Sequence, residues 1–285
     1  VRIESNDLIF CLFTSGSTGT PKGIWHSFGG YLIYALYTFE EFFLKAGAKN
    51  GIFCATDAAW INGHTYAIYG PLLTGTRTIF IKDLNDLQKP AELSKFIHET
   101  KPSFFYSSVT LLRAIRSISN ITETKYASHT RKKLICGIGS CGEPLANEVA
   151  QWALKFFETK NDYIVNTYFQ TETGGVIVAP RFSDGKIKDH STVGKPKFPL
   201  NIELNNKDNS LEISVPWPGC FAKVTSDRKP NYWSALNKYL LQDNGYYDEE
   251  EFLYVGGRTD DVMNVSGHRV SSAEIESTIL KFDSK

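Results

Sequence analysis

The sequence predicts an α/β fold: a largely parallel sheet with helices on its faces, followed by a smaller β subdomain. Three observations carry that expectation. Apolar strand-like runs alternate with helical segments from Leu8 to Tyr168, as crossover-connected parallel strands require. A glycine-rich stretch, TSGSTGTPKG at 14–23, follows the first of those runs directly. From about Ser191 the strands shorten and are separated by Asn, Asp, Gly and Pro, which favours a β-rich unit.

The elements follow in order. Leu8-Ile9-Phe10-Cys11-Leu12-Phe13 reads as a buried strand. In the stretch after it, Gly16, Gly19 and Gly23 let the backbone approach a polyanion, Ser15, Ser17 and Thr18 add hydroxyl donors, and Lys22 fixes a positive charge. It is not a Walker A loop, because no Gly-Lys-Ser/Thr closes it. The plainer alternative is a surface turn between a strand and a helix. Residues Phe28 to Phe43 carry apolar side chains at helical spacing. Residues 51–56 form a short strand, 57–66 a polar and aromatic segment ending before Gly70-Pro71, and 76–81 another strand. Two amphipathic helices, 90–100 and 110–118, flank a strand at Phe104-Phe105-Tyr106, and a basic, exposed connection spans about 120–133. A strand from Leu134 to Gly139 runs into Ser140-Cys141-Gly142-Glu143-Pro144, and Pro144 opens a helix over 145–158. Tyr163 to Tyr168 is the next strand; 200–204, 211–215 and 252–255 are the short strands of the β-rich part. In such sheets ligands bind beyond the carboxyl ends of the strands, where these loops gather.

Composition sets the bounds. At 285 residues, 42% hydrophobic and 13% aromatic, the chain can bury a sizeable core. Its 31 basic and 31 acidic residues cancel, so no electrostatic footprint for nucleic acid or an anionic membrane is present. The five cysteines, Cys11, Cys54, Cys136, Cys141 and Cys220, are odd in number and form no Cys-x-x-Cys pair. They read as core residues of a protein in a reducing, cytoplasmic setting. No run reaches the apolar length of a membrane span and no cleavable signal opens the chain, so no membrane partner is expected. The first residue is Val1, which reads as part of something longer.

TSGSTGTPKG, Gly142-Glu143-Pro144, YFQTETGG at 168–175 and GRTDDVMNVSGHR at 257–269, in that order, resemble the motifs of the AMP-forming adenylate-forming enzymes. WINGHTY at 60–66, PWPG at 216–219 and VSSAEIES at 270–277 make the resemblance closest to the short-chain acyl-CoA synthetases, the acetyl-CoA synthetases above all. It implies the large N-terminal core of such an enzyme and a two-step ligase reaction. A carboxylate attacks the α-phosphate of ATP, releasing pyrophosphate and leaving an acyl-adenylate; coenzyme A then displaces AMP to give a thioester. In-line attack on phosphorus needs neutralised phosphates and a positioned nucleophile more than an acid or a base.

The same resemblance implies a site. Thr14, Ser15, Gly16, Ser17, Thr18 and Gly19 with Lys22 would hold the β- and γ-phosphates, and Glu172 would be the carboxylate for Mg2+, a hard ligand for a hard ion. Gly142, Glu143 and Pro144, with Asn166, Thr167, Tyr168, Phe169, Gln170 and Thr171, would wall the adenine, Tyr168 offering a stacking face. Asp243 aligns with the carboxylate that grips the ribose hydroxyls. The family's usual Gly-Asp-Gly is Gln242-Asp243-Asn244 here, so a plain turn aspartate stands as the alternative. Arg258 and Arg269 would meet ribose and phosphate, which makes Lys22, Glu172 and Arg269 the expected catalytic residues. Asn166 stands where the family commonly has aspartate, and would offer an adenine amine only an uncharged acceptor.

The acid would lie among Trp60, Ile61, Asn62, Cys141 and Phe169. Acetyl-activating relatives typically carry tryptophan at the position of Phe169, so the smaller ring opens the way to propionate or butyrate beside acetate. One methylene is worth only about 1–3 kcal/mol in such discrimination. Ser108, Ser266 and Gly267 would meet coenzyme A, and Asp260 falls at the family's hinge. Ser271 to Glu274 is a capping box opening a helix beyond it. The expected organisation is an α/β core over 1–190, a β-rich subdomain over 191–259, and over 260–285 the start of a C-terminal domain whose adenylation lysine lies outside this chain. A nucleotide-binding remnant without turnover, or an amino-acid or aryl-acid adenylating relative, are the competing readings.

Overall fold

The computed structural model describes residues 2–14, 21–82, 89–122, 135–197, 200–226, 231–259, 263–265, 268–270 and 279, with the backbone alone for 120–122, 263–265 and 268–270. Two antiparallel strands, β1 (Leu8–Thr14) and β2 (Lys22–Ser27), lie on either side of the glycine-rich segment. Helix α1 (Phe28–Phe39) starts immediately after β2 and continues as a π-helical turn, Glu40–Leu44. Next come β3 (Ile52–Ala55), a π-helical stretch Gly63–Tyr69 that runs into α2 (Gly70–Leu73), and β4 (Thr78–Ile79). Then follow α3 (Pro90–Thr100), β5 (Phe104–Ser108), α4 (Val109–Thr122), β6 (Gly137–Cys141), α5 (Asn147–Phe156) and β7 (Ile164–Asn166).

Strands β3 to β7 form one sheet, order β4-β3-β5-β6-β7, parallel throughout. A parallel sheet buried on both faces sends alternate residues into two cores, and the central strands do so. Phe53, Phe105, Ile138 and Ile164 pack with Leu93, Ile97, Leu112, Ile115, Val149 and Ala153 of α3, α4 and α5. Ile52, Cys54, Phe104, Tyr106 and Val165 face Phe39, Phe42, Phe43 and Tyr66 on the opposite side. Each such apolar side chain contributes roughly 1.5–3 kcal/mol on burial, so the two cores fix the strands and, with them, the loops at their carboxyl ends.

The later strands are β8 (Ile202–Leu204), β9 (Ser210–Ile213), β10 (Lys223–Thr225), β11 (Tyr239–Tyr247) and β12 (Leu253–Arg258), with a hairpin of β13 (Met263–Val265) and β14 (His268–Val270). Four of them form an antiparallel sheet, order β12-β11-β9-β8, while β10 joins β2 and β1 in a second. A third core ties this region to the first: Ile24, Tyr34, Tyr168 and Ile177 pack with Leu200, Leu211, Trp217, Tyr239 and Leu253.

Several expectations need correction. The first strand is only partly buried: Leu8 is 44% and Phe13 71% exposed at the outer strand of its sheet, while Leu12 is buried and Ile9 and Phe10 are partly covered. The glycine-rich segment joins two strands, not a strand and a helix. Residues 61–73 are helical, where the sequence reading gives only a polar and aromatic segment over 57–66. Its tertiary hydrogen bonds compensate for a poor helical sequence: the Tyr66 hydroxyl donates to Thr38 Oγ1 and accepts from the Val176 N–H at 2.6 Å. Helix α5 starts at Asn147 with Ala146 extended before it, so Pro144 precedes the helix instead of opening it. The strand expected over 76–81 shrinks to Thr78–Ile79. Helix α4 continues to Thr122, further than the expected 118.

Candidate active site

The carboxyl ends of β6 and β7 deliver the two stretches singled out in the sequence to one place. A cleft of about 260 Å3 is walled by Gly142, Glu143, Pro144 and the run Asn166 to Gln170, closed across by Asp243 and Arg258. Its size is near the lower end of small-molecule sites, which run from roughly 300 to 1,000 Å3. Gly142 has φ +90°, with open space where a side chain would go, so the turn after β6 requires glycine for its backbone conformation. Glu143 accepts from the Thr110 hydroxyl and lies 3.5 Å from the Arg113 guanidinium.

Asp243 is held by two donors in the cleft. The Tyr168 hydroxyl donates to Asp243 Oδ2 at 2.5 Å, and Gln170 Nε2 donates to the same oxygen at 2.8 Å. Burial and the Asp243 carboxylate together push the Tyr168 phenol well above its ordinary range, so it stays protonated as the donor. Tyr168 is thus fixed by its hydroxyl while its ring lines the cleft. Asn166 uses its amide differently from the expectation. Its two N–H groups donate to the Ser191 and Thr192 carbonyls at 3.1 Å, and its oxygen accepts from Ser140 Oγ at 3.0 Å. Those carbonyls explain an amide in place of a carboxylate: an anion there would face two acceptors. Thr167 is likewise engaged, donating to the Ser140 carbonyl at 2.7 Å.

Two residues beyond Gln170, the short helical turn Thr171–Thr173 presents Glu172, and Lys22 Nζ reaches its Oε1 at 3.0 Å. The pair is 17% and 10% exposed, sheltered enough for each charge to need the other. The Tyr232 hydroxyl donates to the same oxygen at 2.8 Å, and its ring lies 4.8 Å from the Lys22 ammonium. Burial, then the neighbouring Glu172, push the Tyr232 phenol far up. Thr14 ends β1 opposite Lys22 in register, and its Oγ1 is buried without a hydrogen-bond partner among the described residues. The turn is hung from the sheet by His26, whose Nε2 lies 2.8 Å from the Thr171 carbonyl. Gly174 closes it at φ +72°, where a Cβ would come within 2.3 Å of the Gly219 carbonyl oxygen.

A third group gathers around Phe169. Asn62 Nδ2 donates to Cys141 Sγ at 3.1 Å, and the buried thiol is pushed up to about 11. Phe169 packs against the cores that hold Cys141 and Ile61, edge-on to Tyr66 at 5.9 Å. Trp60, at the N-terminal end of the helical segment 61–73, is 64% exposed. Ser108 caps α4, its Oγ accepting from the Leu111 N–H at 3.2 Å. Ser15, Gly16, Ser17, Thr18, Gly19, Asp260, Ser266 and Gly267 lie outside the described residues, as does the side chain of Arg269. Sequence reasoning missed Tyr232 and His26, neither of which sits in a recognisable motif, and it noted Gln242 only as a departure from Gly-Asp-Gly, without a role.

Comparison with known proteins places the chain in a family. The profile of the family described as "AMP-binding enzyme" matches residues 1–219. An acetyl-coenzyme A synthetase of Vibrio parahaemolyticus is 35% identical over 98% of this chain and 44% of its own length. One of Escherichia coli K12 is 33% identical over 98% and 44%. The chain therefore spans less than half the length of these curated relatives. The anthranilate CoA ligase AuaEII, solved with anthranoyl-AMP, superposes with a TM-score of 0.80 at 20% identity over 97% of this chain and 52% of that one. The Bacillus subtilis O-succinylbenzoate coenzyme A synthetase, solved with AMP, gives 0.75 at 20% identity over 98% and 55%. With a family profile that covers most of its length and a fold shared with adenylate-forming ligases, the chain belongs to the AMP-binding enzyme family.

Proposed function

We propose that this chain forms the adenylation core of an AMP-forming short-chain acyl-CoA synthetase, with acetate the first candidate acid. The observation that carries the reading is the convergence on one cleft of Gly142 to Pro144, Asn166 to Gln170, Asp243 and Arg258, with the Lys22–Glu172 pair beside it. AMP would lie with its base along the Gly142 and Tyr168 walls and its ribose hydroxyls toward Asp243, whose Oδ2 is already held by two donors. Lys22 would turn from Glu172 to the phosphates of ATP. A carboxylate oxygen then forms a bond to the α-phosphorus as the bond to pyrophosphate breaks. In the second half-reaction the thiol sulfur of coenzyme A forms the bond to the acyl carbon as AMP departs.

The residues fit Mg2+. No three His, Cys, Asp or Glu side chains gather into a cage among the described residues, and Mg2+ bound with ATP needs only one or two carboxylates plus phosphate oxygens. Glu172 supplies a carboxylate, and Thr14, in register with Lys22 at the end of β1, carries a buried hydroxyl without a hydrogen-bond partner among the described residues. The ion would neutralise phosphate charge there. Phe169 in place of a larger indole supports propionate or butyrate as the second choice of acid. Five free cysteines suit the cytoplasm. Calorimetric titration with ATP–Mg2+, then with a non-hydrolysable acetyl-adenylate mimic, tests the reading. Tight mimic binding, lost in Glu172→Ala and Phe169→Ala, is expected; no binding of either ligand would refute it.

A further inference from the structure

Gln242 stands immediately before Asp243 with φ +57°, the left-handed region that a non-glycine residue rarely occupies. It sits where β11 bulges: Leu240 pairs with Glu212 and Asn244 with Ser210, so four steps on β11 answer two on β9. The bulge turns the Leu241 carbonyl toward Gln170 and aims the Asp243 carboxylate into the cleft. A glycine would accommodate this backbone without strain. A glutamine is retained, and its side chain is used at both ends. Its Nε2 donates to the Asn231 carbonyl at 3.2 Å, and its Oε1 accepts from Arg258 Nη2 at 3.2 Å. Its own carbonyl accepts from the Thr259 N–H at 3.0 Å and the Thr259 hydroxyl at 3.1 Å.

We propose that Gln242 is a positioning residue, which orients the Arg258 guanidinium toward the sugar–phosphate part of a bound nucleotide. This rests on the reading of the cleft as a nucleotide site. An amide held by a backbone carbonyl on one side is a fixed acceptor, and a fixed acceptor removes rotamers from the arginine before the ligand arrives. The ribose carboxylate and the arginine are cross-strand partners, Asp243 opposite Arg258. One bulge thus sets both: Asp243 through the backbone, Arg258 through the Gln242 side chain.

The test is a double-mutant cycle read by calorimetry with AMP. Gln242→Gly keeps the left-handed backbone and removes the acceptor, and Gln242→Asn tolerates the backbone but is one methylene too short. Both are expected to weaken AMP binding about 5–10-fold, the size of one ordinary net hydrogen bond, while the melting temperature of Gln242→Gly stays at or above that of the parent. In an Arg258→Ala background the Gln242→Gly change is expected to have no further effect. An equal loss in that background, or no loss in the parent, overturns the proposal. A parent chain that does not bind AMP refutes the nucleotide reading instead. The proposal is then still judged on the free chain, where the Arg258 Nε–H resonance must shift and narrow in Gln242→Gly. An unchanged resonance overturns it.

Discussion

Acidification should loosen the turn that carries Glu172, and His26 is the reason. The ring is fully buried beside Phe10 and Tyr31, with Nε2 engaged with the Thr171 carbonyl and no hydrogen bond to Nδ1 among the described residues. Burial, the largest influence, lowers its pKa from 6.5 to about 4, against the opposing pull of the Thr171 carbonyl and the Glu172 charge. Above pH 6.5 the ring is neutral in both folded and unfolded chains. Between 6.5 and about 4 the unfolded chain takes up a proton that the folded chain refuses, so stability falls as pH falls and levels off below about 4. At about 1.4 kcal/mol per pH unit, the interval sums to ~3 kcal/mol, or roughly 6–12 °C in melting temperature. His64 and His190 are lowered by burial too and act in the same direction. The discriminating assay is therefore chemical denaturation of the parent and of His26→Gln from pH 7.5 to 4. Glutamine keeps a donor for the Thr171 carbonyl and cannot titrate. The variant should lose ~3 kcal/mol less than the parent across that range. Parallel pH profiles would refute a buried neutral imidazole at this position.

Three further outcomes are expected. Gly174→Ala forces an L-residue to φ +72° against the Gly219 carbonyl, and should cost roughly 2–5 kcal/mol in urea denaturation. Tyr232→Phe removes one donor from Glu172 while Lys22 remains, so ATP–Mg2+ affinity should fall about 5-fold with AMP affinity unchanged, as calorimetry reads it. Phe169→Trp fills space beside Cys141 and Ile61, and should shift the affinity ratio of acetyl- to butyryl-adenylate mimics at least about 10-fold toward acetyl.

Much of this molecule was legible in the sequence because two-sided burial leaves a plain mark. The apolar runs at 52–55 and 104–106 face helices on both sides, and their strand character followed from composition alone. The motifs placed Gly142, Tyr168 and Asp243 at one nucleotide site, and the structure brings those residues to one cleft. What stayed hidden depends on contacts distant in sequence. Edge exposure of β1 is invisible to a hydrophobic pattern, since Leu8 and Phe13 look like core residues until the sheet order is known. Helix 61–73 carries Asn, Gly and Pro and is held by Thr38 and Val176, which lie well outside it. Tyr232 meets Glu172 across 60 residues, and Asn166 is spent on the Ser191 and Thr192 carbonyls, so neither role had a local signal. The Gln242 departure from Gly-Asp-Gly was visible, but its link to Arg258 required the β11 bulge.

The most direct test of the central claim is a crystal structure of the chain with a non-hydrolysable acetyl-adenylate mimic. The account predicts the base against Gly142 to Pro144 and Tyr168, the ribose hydroxyls within hydrogen-bond distance of the Asp243 carboxylate, and the acyl group beside Phe169 and Cys141. A mimic bound elsewhere, or one whose ribose makes no hydrogen bond to Asp243, would contradict it.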